Sequence, residues 1–445
     1  MRDIAVTLVV FGLLPVALVR PPVGILLWSW LGYMNPHRLT WGFAYDFPFA
    51  QLTAIATITG FVFWREPKRF PINSTTVIWL AFVTWFSLTT FWALDPKAAL
   101  VGWDKAIKIQ LIALLTLVIM RREDRIRALV WVIALSLGFF GLKGGLYALR
   151  TGAQYRVWGP PGSFIQDNNA LALALIMILP LIWFLLQHHR NRYIRIGLWF
   201  TVAMKLLSIL GSHSRGAALA GSAMLFFLWL KGRYKFRFAL AVLALLPLMI
   251  AFMPEQWFER MGTITHYEED KSAMGRITAW EFAIDLANQR PLGGGFEAFT
   301  AENYWRYSPD IAEQIEKRDG RYQGAHSIYF RVLGEHGYVG LLLFLMLGIS
   351  AYRTASRVVH MARGDPELDW AADLAAMLQV GLVGFAVGGA FQGLAYFDLY
   401  YHLIGLIVLL RAIVDDRLTA TAAAPAAGAG GIAGLGRAGA QRPAP

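Results

Sequence analysis

The sequence predicts an all-α polytopic membrane protein of about twelve transmembrane helices with one large loop outside the bilayer. Two observations carry that class: the length of the uncharged apolar blocks and the placement of basic residues between them. About 20 consecutive apolar residues span a bilayer, and residues 73–93, 127–147, 167–187 and 372–394 reach that length almost without charge. Only 16% of the 445 residues are charged, below the roughly 25% usual in soluble domains.

Taken in order, the apolar blocks run 4–19, 22–34, 48–64, 73–93, 105–120, 127–147, 167–187, 197–211, 215–231, 236–253, 326–352, 372–394 and 398–412. Arg20, Pro21 and Pro22 separate the first two. Proline breaks a helix there, so residues 4–34 read as one interrupted span or a shallow hairpin; counted as one span, they bring the total to twelve. Arg2 followed by an apolar run resembles a signal peptide, but no small-x-small site precedes the next block, which predicts an uncleaved first span.

The net charge of +12 would point to nucleic acid in a soluble chain. Here the basic residues gather in short loops: Arg65/Lys68/Arg69, Arg121/Arg122/Arg125/Arg127, Arg190/Arg192/Arg195, Lys231/Arg233/Lys235/Arg237 and Arg353/Arg357/Arg363. Two spans separate each consecutive pair, so all five fall on one side, and the positive-inside rule makes it cytoplasmic. Orientation accounts for the charge without a nucleic-acid partner, and the twelve-span count places both termini in the cytoplasm. The opposite loops hold mainly Lys97, Arg150, Arg156 and Arg215. The absence of cysteine removes disulfides, thiolate nucleophiles and Cys-ligated zinc from consideration.

Four regions follow: membrane helices in 1–253, a large periplasmic loop in 254–325, further membrane helices in 326–417, and an Ala/Gly/Pro-rich cytoplasmic tail in 418–445 with too little apolar surface to order. Within the loop, Ile277, Trp280, Ile284 and Ala287 recur at helical spacing, which predicts an amphipathic helix on the membrane surface or over a cavity. Loops of this length are usually functional.

Few charged groups face the periplasm. Arg215 follows Gly211-Ser212-His213-Ser214 at a tight turn between two apolar blocks; by itself it reads as a snorkelling interfacial arginine. Arg276 opens the amphipathic segment and Arg156 precedes Trp158-Gly159-Pro160-Pro161; each alone reads as a solvated charge. His326 begins the apolar run that continues through Ser350, at the periplasmic mouth of a span. Glu335 and His336 lie further along that helix, with Glu335 four residues from Arg331 and suited to pairing with it. Ten residues apart, His326 and His336 do not form a metal pair. Glu268-Glu269-Asp270 is followed by Lys271 and has no histidine at ligand spacing, so it reads as a solvated acidic run. Gly293-Gly294-Gly295 has no preceding strand and no following Lys-Ser/Thr, so it predicts a tight turn rather than a nucleotide loop.

Together these residues resemble the O-antigen ligase and polymerase family of bacterial inner membranes. Its ligases carry H-[N/S/Q], nine residues, then G-x-x-[G/T/Y]; here His326-Ser327 is followed after nine residues by Gly337-Tyr338-Val339-Gly340. Gly275-Arg276 with Trp280, the Pro291–Phe296 block, Arg156 before Asn168-Asn169, and Ser214-Arg215-Gly216 are similar to its other blocks. The segment Ser163–Asn169 also resembles the ligase-like branch found beside exosortase systems. The resemblance spans residues 150–345. It implies a GT-C-like, metal-independent, inverting glycosyltransferase with no cofactor, which moves a preassembled glycan from undecaprenyl diphosphate to lipid A–core, in contact with membrane lipid. It further implies diphosphate binding by Arg215, Arg276 and Arg156 and catalysis by His326, as base or as orienting group. An O-antigen or exopolysaccharide polymerase and a protein O-oligosaccharyltransferase stay open within the class. A lipid-linked sugar transporter is the reading from another class, although no internal repeat supports it.

Overall fold

The computed structural model describes residues 1–231, 235–262, 271–318 and 320–423, and every regular element among them is helical. In chain order these are α1 (Arg2–Val19), α2 (Pro21–Met34), α3 (Phe49–Phe63), α4 (Ser74–Thr89), α5 (Pro96–Ile119), α6 (Glu123–Thr151), α7 (Asn168–His188), α8 (Arg192–Leu210), α9 (Arg215–Lys231) and α10 (Lys235–Ala251). After them come α11 (Glu255–Gly262), α12 (Lys271–Gln289), α13 (Ala301–Tyr307), α14 (Pro309–Arg318), α15 (Ile328–Ala362), α16 (Asp369–Gly389) and α17 (Asp398–Ala423). The acidic run Glu268–Asp270, Arg233 of the fourth basic loop, and residues 424–445 of the expected tail lie outside the described residues. Helix α17 runs through Ala423, past the expected start of the tail at 418.

Seven of the described helices are long and apolar enough to cross a membrane: α1, α4 with its short 3₁₀ extension to Trp92, α6, α7, α8, α15 and α16. Helices α10 and α11, bent by 109° at their junction, would add an eighth if they form one span. Helix α7 is apolar on every side and almost wholly buried, as a helix at the centre of a bundle must be. It packs against α6, α8, α9 and α16. Leu243 and Leu248 of α10 stand outward, 71% and 69% exposed. Leucines this exposed along one helix suit a lipid environment rather than water.

The charge partition read from the loops reappears in space. Arg125 pairs with Glu66 at 2.5 Å, Arg121 with Asp416 at 2.6 Å, His188 with Asp373 at 3.0 Å, and Arg417 with Glu367, all at one end of the bundle. The opposite end carries His326 and the other candidate groups.

At the N-terminus the structure corrects the counting of residues 4–34 as a single span. Helices α1 and α2 form an antiparallel hairpin in which Val6 and Val10 pack with Leu27 and Leu31. The Asp3 carboxylate accepts from the backbone N–H groups of Gly42 and Ala44, beyond the end of α2. Met1 therefore sits at the His326 end of the bundle, not with the basic loops. The reversal follows from Pro21 and Pro22, which supply no N–H to continue α1 and instead open α2.

The amphipathic segment also packs differently from its apolar spacing. Ala279, Phe282, Ala283, Leu286 and Ala287 form the buried face of α12, while Ile284 is 39% exposed. Small alanines let α12 approach α15 closely, and Phe282 stacks on Tyr304 with ring centroids 3.9 Å apart. A second small core of Phe282, Leu286, Tyr304, Ile311 and Ile315 joins α12 to α13 and α14. The large loop is thus a folded cap docked on the bundle.

Helix α15 is broken at Gly337, whose φ and ψ of 67° and −166° fall in a region open essentially to glycine alone. The break leaves carbonyls of the preceding turn without helical partners, and a buried carbonyl needs one. The glycine turn supplies them: Gly294 N–H donates to Gly334 O at 2.9 Å and Gly295 N–H to Glu335 O at 2.8 Å. Trp85 Nε1 donates to His336 O at 2.9 Å, and beyond the break Tyr338 N–H donates to Pro291 O at 3.0 Å. Close approach explains the glycines, since a Cβ on Gly293 would stand 2.5 Å from Glu335 O and one on Gly337 2.0 Å from Pro291 O.

Alanine at Gly337 is expected to cost about 1–3 kcal/mol in backbone strain alone, before the clash with Pro291. Detergent-purified Gly337→Ala should melt well below wild type, whereas Gly197→Ala, with nothing within 4 Å of the new methyl, should melt at or slightly above it. Equal midpoints for the two variants would contradict this account of the break.

Candidate active site

His326 sits in the turn that enters α15, with φ at +43°, a conformation uncommon for residues other than glycine. The turn is clamped from α12: Trp280 Nε1 donates to Ala325 O at 2.7 Å, and its indole stacks on Phe330 at 5.0 Å with planes 12° apart. The imidazole itself is exposed at the lip. Desolvation by the surrounding walls, and then the charge of Arg276, hold its pKa below the usual histidine value, with Asp167 acting in the opposite direction. A histidine so placed is neutral at neutral pH and has a lone pair to accept a proton.

Arg276 lies in the second turn of α12 and lines a small cavity with Asn169, Ser214, Gly216, Phe391 and Gln392. The first turns of α7 and α9 thus both face this cavity, and helix N-termini favour anions. Asp167 caps α7, accepting from Asn169 and Ala170 N–H, and Ser214 Oγ accepts from Ala217 N–H at the start of α9.

Arg215 is the first residue of α9, directly after the tight turn expected from the sequence. Neighbours hold that turn rigidly. Asn168 Nδ2 donates to Ser212 O at 2.7 Å, Arg260 Nε to His213 O at 2.8 Å, and His213 Nε2 to Ala153 O at 2.8 Å. His213, at φ +55°, has its pKa lowered by burial and by the charges of Arg156 and Arg260. Arg156 is exposed in the α6–α7 loop, where Val157 N–H donates to Gly211 O at 3.1 Å. All four candidates lie at one end of the bundle: Arg276 within electrostatic range of His326 and beside the Arg215 turn, Arg156 beside His213.

Sequence reasoning found the Arg331–Glu335 pair but not what surrounds it. Arg331 Nε meets Glu335 Oε1 at 3.1 Å, Nη2 meets Glu297 Oε1 at 3.2 Å, and Nη1 donates to Gly393 O at 3.1 Å. Tyr396 Oη donates to Glu335 Oε2 at 2.5 Å and stands 2.7 Å from His336 Nε2, while Thr89 Oγ1 lies 2.8 Å from His336 Nδ1. Tyr396 has one proton and Glu335 takes it, so Nε2–H of His336 donates to the tyrosine oxygen, while Thr89 Oγ1, which donates to Phe86 O at 2.9 Å, lies against Nδ1. Tyr396 and Glu297 carried no sequence signal, because both arrive from loops that only the fold brings to Arg331 and Glu335.

An apolar groove opens next to His326 and follows α15 against α16 and α17, from Ile328 and Tyr329 past Phe344 and Gly348 to Tyr352. Removing the Tyr396 hydroxyl strands two buried groups at once. Tyr396→Phe should therefore lose about 1–3 kcal/mol of stability, read as a lower thermal midpoint in detergent; an unchanged midpoint would show that the network holds nothing together.

Comparison with known proteins agrees with this architecture. A family model described as O-antigen ligase matches residues 200–345, and a model of a family of unknown function matches residues 1–190. No curated protein matches the chain. The first match takes in Arg215, Arg276, the glycine turn, His326 and the Gly337 break. Residues 200–345 thus form a domain of the O-antigen ligase family.

Proposed function

We propose that this multi-pass protein is an O-antigen ligase of GT-C-like architecture in the bacterial inner membrane. In this reading it transfers a preassembled glycan from undecaprenyl diphosphate to lipid A–core on the periplasmic side. The observation that carries it is the cavity shared by Arg276 and the first turns of α7 and α9, with His326 at its lip.

The chemistry asks for two things. The glycosidic C–O bond breaks with its electron pair leaving on the diphosphate, and that charge must be stabilised. Arginines give permanent charge and two-pronged contacts to phosphate oxygens, and preorganised cations stabilise charge as it develops. Arg276 and Arg215 take this role and Arg156 supports them, so the reading needs no cofactor. The acceptor hydroxyl then attacks the opposite face of the anomeric carbon, inverting it, and gives its proton to neutral His326. The groove along α15 suits the polyprenyl tail, since its near end lies two residues from His326.

Purified protein given lipid-linked glycan and lipid A–core should yield their conjugate; elongated lipid-linked glycan in its place would mean a polymerase. His326→Ala and Arg276→Ala should each lower transfer by about 100-fold or more with the melting profile preserved. Because burial and Arg276 lower the His326 pKa, its basic form persists as pH falls, and the rate should drop only below about 6.5, the ordinary histidine value. An acid limb centred above that value would remove His326 as the base.

A further inference from the structure

Charged groups continue along the rim beyond His326, away from the Arg276 cavity. Gly393 marks the crossing: at the position of a Cβ on this residue, Arg331 Nη1 would be 3.8 Å away and the His326 Cα 3.9 Å. On the far side of Arg331 stands Glu297, its side chain 54% exposed and one oxygen on Arg331. Glu297 is fixed at φ +58°, with its N–H on Glu335 Oε1 at 3.2 Å. The left-handed region is unfavourable for a residue other than glycine, and such strain gathers at working sites.

Helix α5 forms the other wall. Gly102 lets it approach Phe296, whose Cβ would lie 2.8 Å from an added methyl. One turn later Lys105 is exposed, its Nζ 3.9 Å above the Phe164 ring and within electrostatic range of Arg331 and Glu297. Phe164 is held ready: its other neighbour is Phe397 at 5.9 Å, and Gly162 N–H donates to Gln166 Oε1 at 2.7 Å across its loop. A carboxylate, an ammonium and an aromatic ring along one flank match a sugar ring, which offers hydroxyls at its edge and C–H groups on its faces.

We propose that Glu297, Lys105 and Phe164 form the subsite for the terminal sugar of the acceptor. This rests on the glycan-transfer reading above. Inversion requires the acceptor to approach opposite the departing diphosphate. With the diphosphate at Arg276, the far side of His326 is the Arg331–Glu297–Lys105 flank. His326 has Arg276, Asp167 and Arg331 as charged neighbours, and Lys105 has Arg331, Glu297 and Asp398.

The test is binding of lipid A–core to the full-length protein without donor, measured by native mass spectrometry in detergent. Lys105→Gln and Phe164→Ala should each weaken binding about tenfold, the loss expected for one polar or stacking contact of about 1.4 kcal/mol, and Arg276→Ala should leave it unchanged. Glu297→Gln should weaken it too; since it also disturbs Arg331, the two variants that leave the Arg331 network intact decide the matter. Wild-type affinity in both Lys105→Gln and Phe164→Ala, or no binding by wild type, overturns the subsite. Binding that depends on these residues without any transfer would instead overturn the glycan-transfer reading.

Discussion

A lipid interior offers no water to satisfy a stray backbone carbonyl, so a membrane helix can be interrupted only where protein supplies the missing donors. Helix α15 is interrupted at Gly337, and the donors come from the Gly293–Gly295 turn and from Trp85. Most of the site is tied to this arrangement. The docked turn continues into Phe296 and Glu297, whose N–H is held by the Glu335 side chain. The same stretch of α15 before the break aims Arg331, Glu335 and His336 at one another and at Tyr396. Two distant stretches of sequence thereby become one surface.

Electrostatics then divides that surface. Around Arg276 the first turns of α7 and α9 face the cavity together with neutral groups such as Phe391 and Gln392, and the Asp167 carboxylate stands beside them. Around Arg331 two carboxylates offset the guanidinium, so this flank has little net attraction for a diphosphate and presents hydrogen-bonding groups instead. His326 lies between these two environments.

Much of this was legible in the sequence, and what was not has a physical reason. Block length and loop charge gave the membrane class and put the basic loops at one end, because hydropathy and charge act locally. The turns before Arg215 and at Gly293–Gly295 were readable for the same cause, since their glycines specify conformation where they stand. The hairpin of α1 and α2 was left ambiguous because proline signals a break without its direction. The buried face of α12 was misread because the helix packs on two partners, and alanine, which carries no periodicity of its own, sets the closer contact. Tyr396 and Glu297 gave no warning, since their importance comes from contacts made across the fold.

The Gly337 interruption also bears on how the protein is built. The glycine turn precedes α15 in the chain, so during synthesis it emerges before the helix it serves. Until α15 inserts, the turn's donors are met by water; once it inserts, they must transfer to Gly334 and Glu335. Integration of this helix and docking of the cap are therefore coupled, and the candidate site is complete only when both have taken place.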